Sequence, residues 1–212
     1  MGKYQAVIFD LDGVLCSTDE YHYQAWKQMA DAIGVPFDRT VNARLRGVSR
    51  MESLDIILEN CPNRFSPAEK QEMAEQKNEI YKELLKKLTP ADVLPEVRST
   101  LAILHSRELK LAIGSSSKNT PFILQQTGLD HAFDAVSDGN NITHSKPDPE
   151  VFLKAAQMLC LPPEVCLVVE DAVAGVQAAH AGGMKAACVG NAAECKAGDY
   201  NLTNFSDLLK IC

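Results

Sequence analysis

Residues 4–14 read YQAVIFDLDGV, an apolar run that ends in two aspartates and a glycine. A compact run containing Val, Ile and Phe is typical of a β-strand that is buried on both faces. Side chains two residues apart on an extended chain point the same way, so Asp10 and Asp12 can face one site where the strand ends. Gly13 allows the backbone to turn sharply there. The stretch predicts a ligand site at the carboxyl end of a strand; the alternative is an ordinary solvated acidic turn.

Three further apolar runs follow, at 110–114 (KLAIG), 165–170 (VCLVVE) and 185–190 (KAACVG). Helix-like patterns lie beside them, near 96–106, 119–127, 149–159 and 172–181. Continuous apolar strands that alternate with helices are typical of a parallel sheet covered on both faces. The predicted fold class is therefore α/β, with a doubly wound, Rossmann-like parallel sheet.

The segment between the first two strands contains no strand-like run and is predicted to be helical. Its first helix is expected to begin at Ser17, because Glu20 three residues later would complete a capping box. Another is expected to begin at Ser66, where Glu69 gives the same signal.

This change of rhythm predicts two domains. We expect a core formed by residues 1–16 and 89–212, with a small α-helical cap, residues 17–88, inserted after the first strand. Two domains joined by two stretches of chain form a cleft that can open and close, and chemistry is expected in that cleft.

The composition excludes several classes of protein. The chain has 212 residues, of which 46% are hydrophobic and 23% charged, as in ordinary globular proteins. Its net charge of −7 disfavours general binding of nucleic acid or of an anionic membrane, since both would repel it. The 7 cysteines, an odd number without a C-x-x-C pair, favour a reducing compartment. No stretch approaches the roughly 20 apolar residues of a membrane span, so we expect a soluble, cytoplasmic protein.

Three other polar segments follow predicted strands. The turn GSSSKN at 114–119 offers hydroxyls and backbone N–H groups that can bind phosphate, although serines also cap helices without binding anything. Lys146 lies in HSKPDPEVF, where an ordinary exposed lysine is the alternative. Glu170 and Asp171 end the run LVVED, and together with Asp10 and Asp12 they favour a hard cation such as Mg²⁺. The alternative for this acidic pair is stabilisation of a helix N-terminus.

Two polar residues fall in apolar phases of the predicted cap helices. His22 shares a stripe with Ala25, Trp26 and Met29, and is either satisfied in the core or aimed into the cleft. Lys77 lies among apolar positions of the helix that follows Ser66. A lysine is almost never buried unpaired, so we expect Lys77 to point at an anion across the cleft.

Carboxylates, hydroxyls, a lysine and a second acidic pair thus follow successive strands. This order resembles the haloacid dehalogenase (HAD) superfamily of phosphohydrolases and phosphotransferases, whose signatures are D-x-D-G, Ser/Thr, Lys and a paired acidic motif. The helical insert is similar to the small α-helical cap of that superfamily, and the resemblance covers essentially the whole chain. Four segments are more similar to its sugar-phosphate mutases: DEYHYQAW (19–26), RGVSRMES (46–53), SSSKN (115–119) and EQKNEIY (75–81).

The resemblance implies a reaction centre with defined roles. Asp10 would be the nucleophile that becomes an aspartyl phosphate, and Asp12 the general acid and base. Lys146 and Ser115 would hold the transferring phosphoryl group. One Mg²⁺ per active site would be held by Asp10, the backbone carbonyl of Asp12 and Asp171, with Glu170 nearby.

The resemblance also implies a substrate. It predicts Mg²⁺-dependent interconversion of β-D-glucose 1-phosphate and glucose 6-phosphate, with glucose 1,6-bisphosphate as activating intermediate, by a protein that we expect to be a monomer. Arg50, helped by Ser117 and Asn119, would hold the phosphate that does not react. The other residues implied in substrate binding or cap closure are Thr18, His22, Trp26, Gly47, Val48, Ser49, Ser53, Lys77, Ser116 and Lys118.

Three other functions are alternatives to a mutase. A phosphatase of the same fold acting on sugar or polyol phosphates would share the reaction centre, while Arg50, His22 and the S-x-S-K-N turn favour the mutase. A phosphate-accepting signalling domain would need neither Asp12 nor the insert, and a non-catalytic binding protein would not keep every catalytic position. One departure from the resemblance is Ser17, where a carboxylate is common, at the expected hinge.

Overall fold

The computed structural model of the protein describes residues 3–45, 48–61 and 63–212. Within these ranges the strands are β1 Ala6–Phe9, β2 Lys110–Gly114, β3 Ala135–Ser137, β4 Cys166–Glu170, β5 Lys185–Cys188 and β6 Tyr200–Asn201. The α-helices are α1 Asp19–Ala32, α2 Arg39–Ala43, α3 Arg50–Ile57, α4 Pro67–Leu85, α5 Pro95–Ser106, α6 Thr120–Thr127, α7 Glu150–Met158, α8 Val173–Ala181 and α9 Gly190–Glu194. Short 3-10 segments lie at Pro90–Asp92, Pro163–Val165 and Phe205–Lys210.

The six strands form one parallel sheet in the order β3-β2-β1-β4-β5-β6. This confirms the predicted doubly wound α/β class. The chain proceeds from β1 to one side of the sheet and then crosses to the other, so β1 lies beside the point where the strand order reverses. In open parallel sheets, ligands bind outside the carboxyl ends of the strands at this point.

Both faces of the sheet are covered by packed side chains. Val7 and Phe9 of β1 belong to one buried cluster, while Ala6 and Ile8 belong to the cluster on the opposite face. This alternation follows from the period of two along a strand, and explains why the strands are apolar throughout.

The helices α1 to α4 form an insert between β1 and β2, here called the helical insert. It has an apolar cluster of its own, which includes Trp26 and Met29 of α1 and Met73 of α4. The predicted start of α4 is confirmed: the Ser66 hydroxyl accepts from Glu69 N at 3.3 Å, and the Glu69 carboxylate accepts from Ser66 N at 2.7 Å. In the part of the chain that the structure describes, no helix is both long and apolar enough to cross a membrane.

The predicted capping box at Ser17 and Glu20 is wrong. The first helix begins at Asp19, so Thr18 occupies the N-cap position, and its side chain makes no capping hydrogen bond. The Thr18 hydroxyl instead donates to the Asp12 carboxylate. The Thr18 side chain therefore contacts Asp12 and does not cap its own helix.

Two strands and three α-helices of the described residues were not individually predicted. The strands β3 and β6 have three and two residues, too short for a pattern of apolar residues to develop. The helices α2 and α9 have five residues each and α3 has eight. Strand ends elsewhere differ from the predicted ones by no more than two residues.

Gly175 of α8 packs against the buried side chain of Glu170, the last residue of β4. A β-carbon at position 175 would lie 1.9 Å from Glu170 Oε1 and 2.1 Å from its Cδ. Glu170 cannot retreat easily, because it is 1% exposed and its carboxylate is held by Lys146 and by Ala172 N. The contact therefore requires a residue without a side chain.

Replacing Gly175 by Ala should destabilise the protein by about 1–3 kcal/mol through overpacking. In an unconstrained helix the same change would stabilise by about 1 kcal/mol, so the sign of the effect is diagnostic. The free energy of unfolding from urea titration measures it. Gln177→Ala, on the exposed side of the same helix, is the control and should change stability by less than about 0.5 kcal/mol. A Gly175→Ala protein as stable as the parent would contradict this account of the packing.

Candidate active site

A cleft with a volume of about 450 Å³ lies at the carboxyl ends of the strands, beneath the helical insert. Most of the site residues expected from the sequence line it. They are Asp10, Asp12, His22, Trp26, Val48, Ser49, Arg50, Ser53, Lys77, Ser115, Ser116, Ser117, Lys118, Asn119, Lys146, Glu170 and Asp171. Thr18 lies behind the wall of the cleft, and Gly47 lies outside the described residues.

Three carboxylates, of Asp10, Glu170 and Asp171, form a cluster here called the acidic centre. One oxygen of each lies within 4.8 Å of the others. The sheet register explains the placement: Phe9 pairs with Val169, so the next residues, Asp10 and Glu170, leave adjacent strands side by side. The two residues are 160 positions apart in the sequence, and the pairing of β1 with β4 brings them together.

Lys146 connects two members of the acidic centre. Its Nζ lies 2.5 Å from Oδ1 of Asp10 and also donates to Oε1 of Glu170, and the three side chains are almost completely buried. The second oxygen of Glu170 accepts from Ala172 N at 2.8 Å. Lys146, for which an ordinary exposed lysine was the alternative, is therefore the buried counter-ion of the centre.

Burial and like charge shift the pKa values of these groups. Burial raises the pKa of Asp10 to about 7, against the opposing attraction of Lys146. Burial, followed by repulsion from Asp10 and Glu170, raises the pKa of Asp171 to about 8. Burial opposes the charge on Lys146, but Asp10 and Glu170 outweigh it and hold the pKa of Lys146 above its ordinary value. The centre carries more negative charge than one lysine balances.

The donor set of the acidic centre fits a hard divalent cation, which prefers several carboxylate oxygens. The backbone makes room for this arrangement: Gly13 has φ +83°, and a β-carbon there would lie 2.3 Å from Asp171 Oδ2. Ser116 adds a second sign of a ligand site. Among the described residues, its hydroxyl is the buried side-chain polar atom that lacks a hydrogen-bond partner.

The serine-rich turn after β2 forms a ladder of local hydrogen bonds. Ser117 N donates to Ser115 Oγ at 3.3 Å, and Asn119 N donates to Ser117 Oγ at 3.2 Å. Ser115 is anchored to the sheet, since its N–H donates to Ser137 O of β3 at 3.1 Å. The turn is thereby fixed at the edge of the cleft, which residues 115–119 line, and Asn119 contacts the insert through Asn78.

The Asp12 carboxylate faces the helical insert. Its Oδ1 accepts from Thr18 N at 2.6 Å, and its Oδ2 accepts from the Thr18 hydroxyl at 2.7 Å. The Thr18 oxygen is also 2.8 Å from the Tyr81 hydroxyl of α4. Asp12 is thus connected to two helices of the insert, whereas Asp10 is held by the sheet side of the cleft.

His22 and Lys77 contact each other above Asp12. Lys77 Nζ lies 2.9 Å from His22 Nδ1, and His22 Nε2 lies 3.8 Å from Asp12 Oδ2. Lys77 is 2% exposed and stands over the rings of Trp26 and Tyr81, at 4.7 and 4.6 Å from their centroids. Burial, then the charge of Arg50, lowers the pKa of Lys77 to about 7. Its direct partner is an imidazole, which sequence reasoning did not predict.

Arg50 meets the serine-rich turn through a residue of α4. Arg50 Nη2 donates to Asn78 Oδ1 at 2.9 Å, and Asn119 Nδ2 donates to the same oxygen at 3.0 Å. Ser49, expected to bind substrate, caps α3 by accepting from Glu52 N. Two donors from opposite sides of the cleft are therefore adjacent.

Comparisons with known proteins agree with this geometry. The profile of the haloacid dehalogenase-like hydrolase family matches residues 4–183. The chain belongs to this family. It is 43% identical over 206 residues to a β-phosphoglucomutase of Bacillus subtilis, covering 96% of this chain and 91% of that protein. A crystal structure of β-phosphoglucomutase from Clostridium difficile superposes with a TM-score of 0.91 at 39% identity, covering 97% of this chain and 93% of that one.

A phosphatase is also among the similar HAD-family proteins. The phosphorylated carbohydrates phosphatase of Thermotoga maritima is 33% identical over 184 residues, covering 85% of this chain and 82% of that protein. Membership of the HAD family confirms that the protein is an enzyme, as the motifs predicted. Both activities occur among its relatives.

Two residues of this HAD-family site were missed by sequence reasoning. Tyr81 was assigned no role from the sequence, yet its hydroxyl contacts Thr18 and its ring stacks on His22 at 4.0 Å between centroids. Asn78 was not singled out, although a buried asparagine beside Lys77 on an apolar phase of α4 is itself a signal.

Replacing Asp171 by Asn should stabilise the metal-free protein at pH 8. A carboxyl whose pKa is raised on folding binds its proton more tightly in the native state, so stability falls as pH rises from about 4 to about 8. The neutral amide removes the free-energy cost of ionising the buried carboxyl. The melting temperature in EDTA should therefore rise by about 3 °C or more at pH 8, with little change near pH 4.

Calorimetry at the two pH values, with the exposed Glu194→Gln as control, measures this effect. Added MgCl₂ should then stabilise the parent protein at pH 8 and fail to stabilise Asp171→Asn. An Asp171→Asn protein less stable than the parent at pH 8 in EDTA would contradict the prediction, because the charged carboxylate of Asp171 would then stabilise the fold.

Proposed function

We propose that the protein is a β-phosphoglucomutase that interconverts β-D-glucose 1-phosphate and glucose 6-phosphate. One observation carries the proposal: the cleft holds the acidic centre with Lys146 on its sheet side and a separate pair of anion-binding donors, Arg50 and Asn119, where sheet and insert meet. A sugar bisphosphate has two phosphates and needs two such sites. The 43% identity to a protein of this name over nearly the whole chain supports the same conclusion.

In the proposed mechanism, Asp10 attacks the phosphoryl group and becomes an aspartyl phosphate. Attack by one anion on another requires neutralisation of charge, and Lys146, at 2.5 Å from Asp10, is placed to contribute to it. Ser115 and the otherwise unpartnered hydroxyl of Ser116 are available to the phosphoryl oxygens. When bound, Mg²⁺ would supply further neutralisation as a Lewis acid, held by Asp10, the main-chain carbonyl of Asp12 and Asp171, with Glu170 nearby.

Asp12 is proposed to move the proton. It would protonate the leaving sugar oxygen in one half of the reaction and deprotonate the attacking hydroxyl in the other, a contribution typically worth about 10²–10⁴-fold. Its bonds to Thr18 orient it, and His22 lies 3.8 Å away. Tyr81 contacts Thr18, and Lys77 contacts His22.

The helical insert is proposed to act as a cap domain, residues 17–88, that closes over the substrate. An aspartyl phosphate is hydrolysed by water, so a mutase must exclude it during transfer. Trp26, Val48 and Ser53 line the cleft from the insert and are proposed to contact the sugar. Gly47 is assigned the same role by sequence resemblance alone.

The phosphate that does not react is proposed to bind Arg50, Ser117, Lys118 and Asn119. A guanidinium grips phosphate through two parallel hydrogen bonds, which suits a substrate that must bind in either of two orientations. Glucose 1,6-bisphosphate is then both intermediate and activator. We further propose that the protein works as a monomer in the cytoplasm, where its free thiols would stay reduced.

The second candidate is a phosphatase that acts on sugar phosphates. It is favoured by the 33% identity to the phosphatase from Thermotoga maritima and would use the same acidic centre, Ser115 and Lys146. It gives no role to the paired donors Arg50 and Asn119 as a second phosphate site.

Incubation with β-glucose 1-phosphate, Mg²⁺ and a catalytic amount of glucose 1,6-bisphosphate distinguishes the two. We expect glucose 6-phosphate to form without an equal amount of inorganic phosphate. Asp10→Asn should abolish turnover, since the amide cannot form the phosphoenzyme, while the exposed Asp130→Asn should retain it. Rapid release of phosphate with little glucose 6-phosphate would establish the phosphatase instead.

Replacing Arg50 by Ala should impair binding of the second phosphate and leave the reaction centre at Asp10 intact. Loss of a charged hydrogen-bonding partner should lower isomerisation about 30-fold or more, because the second phosphate is no longer held. Hydrolysis of p-nitrophenyl phosphate, which has no second phosphate, should fall by less than about threefold. Arg39→Ala, an exposed arginine of the same insert, is the control. Equal losses in both reactions would remove the reason for preferring a mutase.

A further inference from the structure

Asn78 occupies the boundary between the helical insert and the sheet side of the cleft. Its Oδ1 accepts from Arg50 Nη2 at 2.9 Å and from Asn119 Nδ2 at 3.0 Å. Arg50 belongs to α3 of the insert, whereas Asn119 precedes α6, beside the sheet. Asn78 itself is 9% exposed on α4. One oxygen atom of α4 thus brings together two donors that come from two other parts of the chain.

Asn119 gives up a local interaction to make this contact. It lies at the N-cap of α6, where an asparagine side chain normally accepts from the helix backbone, yet it makes no capping bond. Its backbone N–H is satisfied by Ser117 Oγ, and its side-chain amide is turned towards Asn78. A residue that departs from its local preference in this way points to a role in the site.

Asn78 contacts Arg50 without placing a negative charge beside its guanidinium. Among the ion pairs of the described residues, Arg50 appears in none, and the glutamates that influence it, Glu75 and Glu79, are exposed on α4. An amide oxygen orients the guanidinium without adding a negative charge. A carboxylate at the same position would accept the same hydrogen bonds and cancel the charge.

Both donors keep capacity for a further partner. A guanidinium has five N–H groups and a primary amide two, and the bonds to Asn78 use one of each. The remaining N–H groups can bind an anion in the cleft that both residues line.

We propose that Asn78 is a positioning residue that assembles Arg50 and Asn119 into one phosphate site and, by being neutral, keeps that site positive. The proposal rests on the function proposed above and adds the residue that couples the helical insert to the second phosphate. It makes Asn78 a determinant of specificity for substrates with two phosphates. It gives Asn78 no part in the reaction at Asp10.

The variants Asn78→Ala and Asn78→Asp test this, with Gln76→Glu as control. Gln76→Glu makes the same change from amide to carboxylate on the exposed side of α4. The readouts are KM and kcat for glucose 1,6-bisphosphate, hydrolysis of p-nitrophenyl phosphate, and the melting temperature of the full chain.

We expect Asn78→Ala to raise KM for the bisphosphate about tenfold, since two donors lose their shared acceptor. Asn78→Asp should raise KM further, because its charge faces the bound phosphate, while leaving the melting temperature near that of the parent. Hydrolysis of p-nitrophenyl phosphate should stay within about twofold in both variants, and Gln76→Glu should match the parent throughout.

A merely structural role predicts the opposite order, with Asn78→Asp better than Asn78→Ala because the carboxylate keeps both hydrogen bonds. That order, or an unchanged KM in Asn78→Asp, overturns the proposal. The proposed function is judged separately, from isomerisation by the parent protein. If the parent only releases phosphate from the bisphosphate, the mutase assignment fails, but KM is still read from phosphate release and Asn78 is still tested. No use of the bisphosphate at all by the parent overturns both.

Discussion

Repulsion among three carboxylates at one buried end of the sheet is the constraint to which the surrounding structure responds. Asp10, Glu170 and Asp171 converge because adjacent parallel strands end there. Lys146 balances part of their charge, while burial first and like charge second raise the pKa values of Asp10 and Asp171. The unbalanced charge suits a site that binds a cation together with an anionic substrate. When neither is bound, the same charge lowers the stability of the protein.

The acidic centre also restricts which residues can pack against its carboxylates. Gly13 and Gly175 lie where a β-carbon would collide with Asp171 and Glu170 respectively. Thr18 and Asn119 occupy helix N-caps but direct their side chains to Asp12 and Asn78 instead. At Thr18, Asn119 and the helical Gly175 the local preference of the chain has yielded to the geometry of the cleft, as is expected where function imposes its own requirements.

Much of the fold follows from local patterns. The strands β1, β2, β4 and β5 were predictable because each is a continuous apolar run, and the start of α4 because Ser66 and Glu69 cap it. The short strands β3 and β6 were not, since their two or three residues are recruited by pairing with a neighbouring strand. The start of α1 was misplaced because a capping box at Ser17 is a local signal, whereas the bond from Thr18 to Asp12 is not.

The sequence by itself determined the chemistry available at the strand ends: two aspartates after β1, serines after β2, a lysine before α7 and an acidic pair at the end of β4. Their convergence was predictable because parallel strands end at a common edge. Only the tertiary structure decided that Lys146 joins Asp10 to Glu170, that Tyr81 reaches Thr18 and that Asn78 joins Arg50 to Asn119. These contacts link residues 24 to 136 positions apart. They depend on how the loops at the strand ends converge and on how the helices of the insert pack with one another and over the sheet, which no local periodicity records.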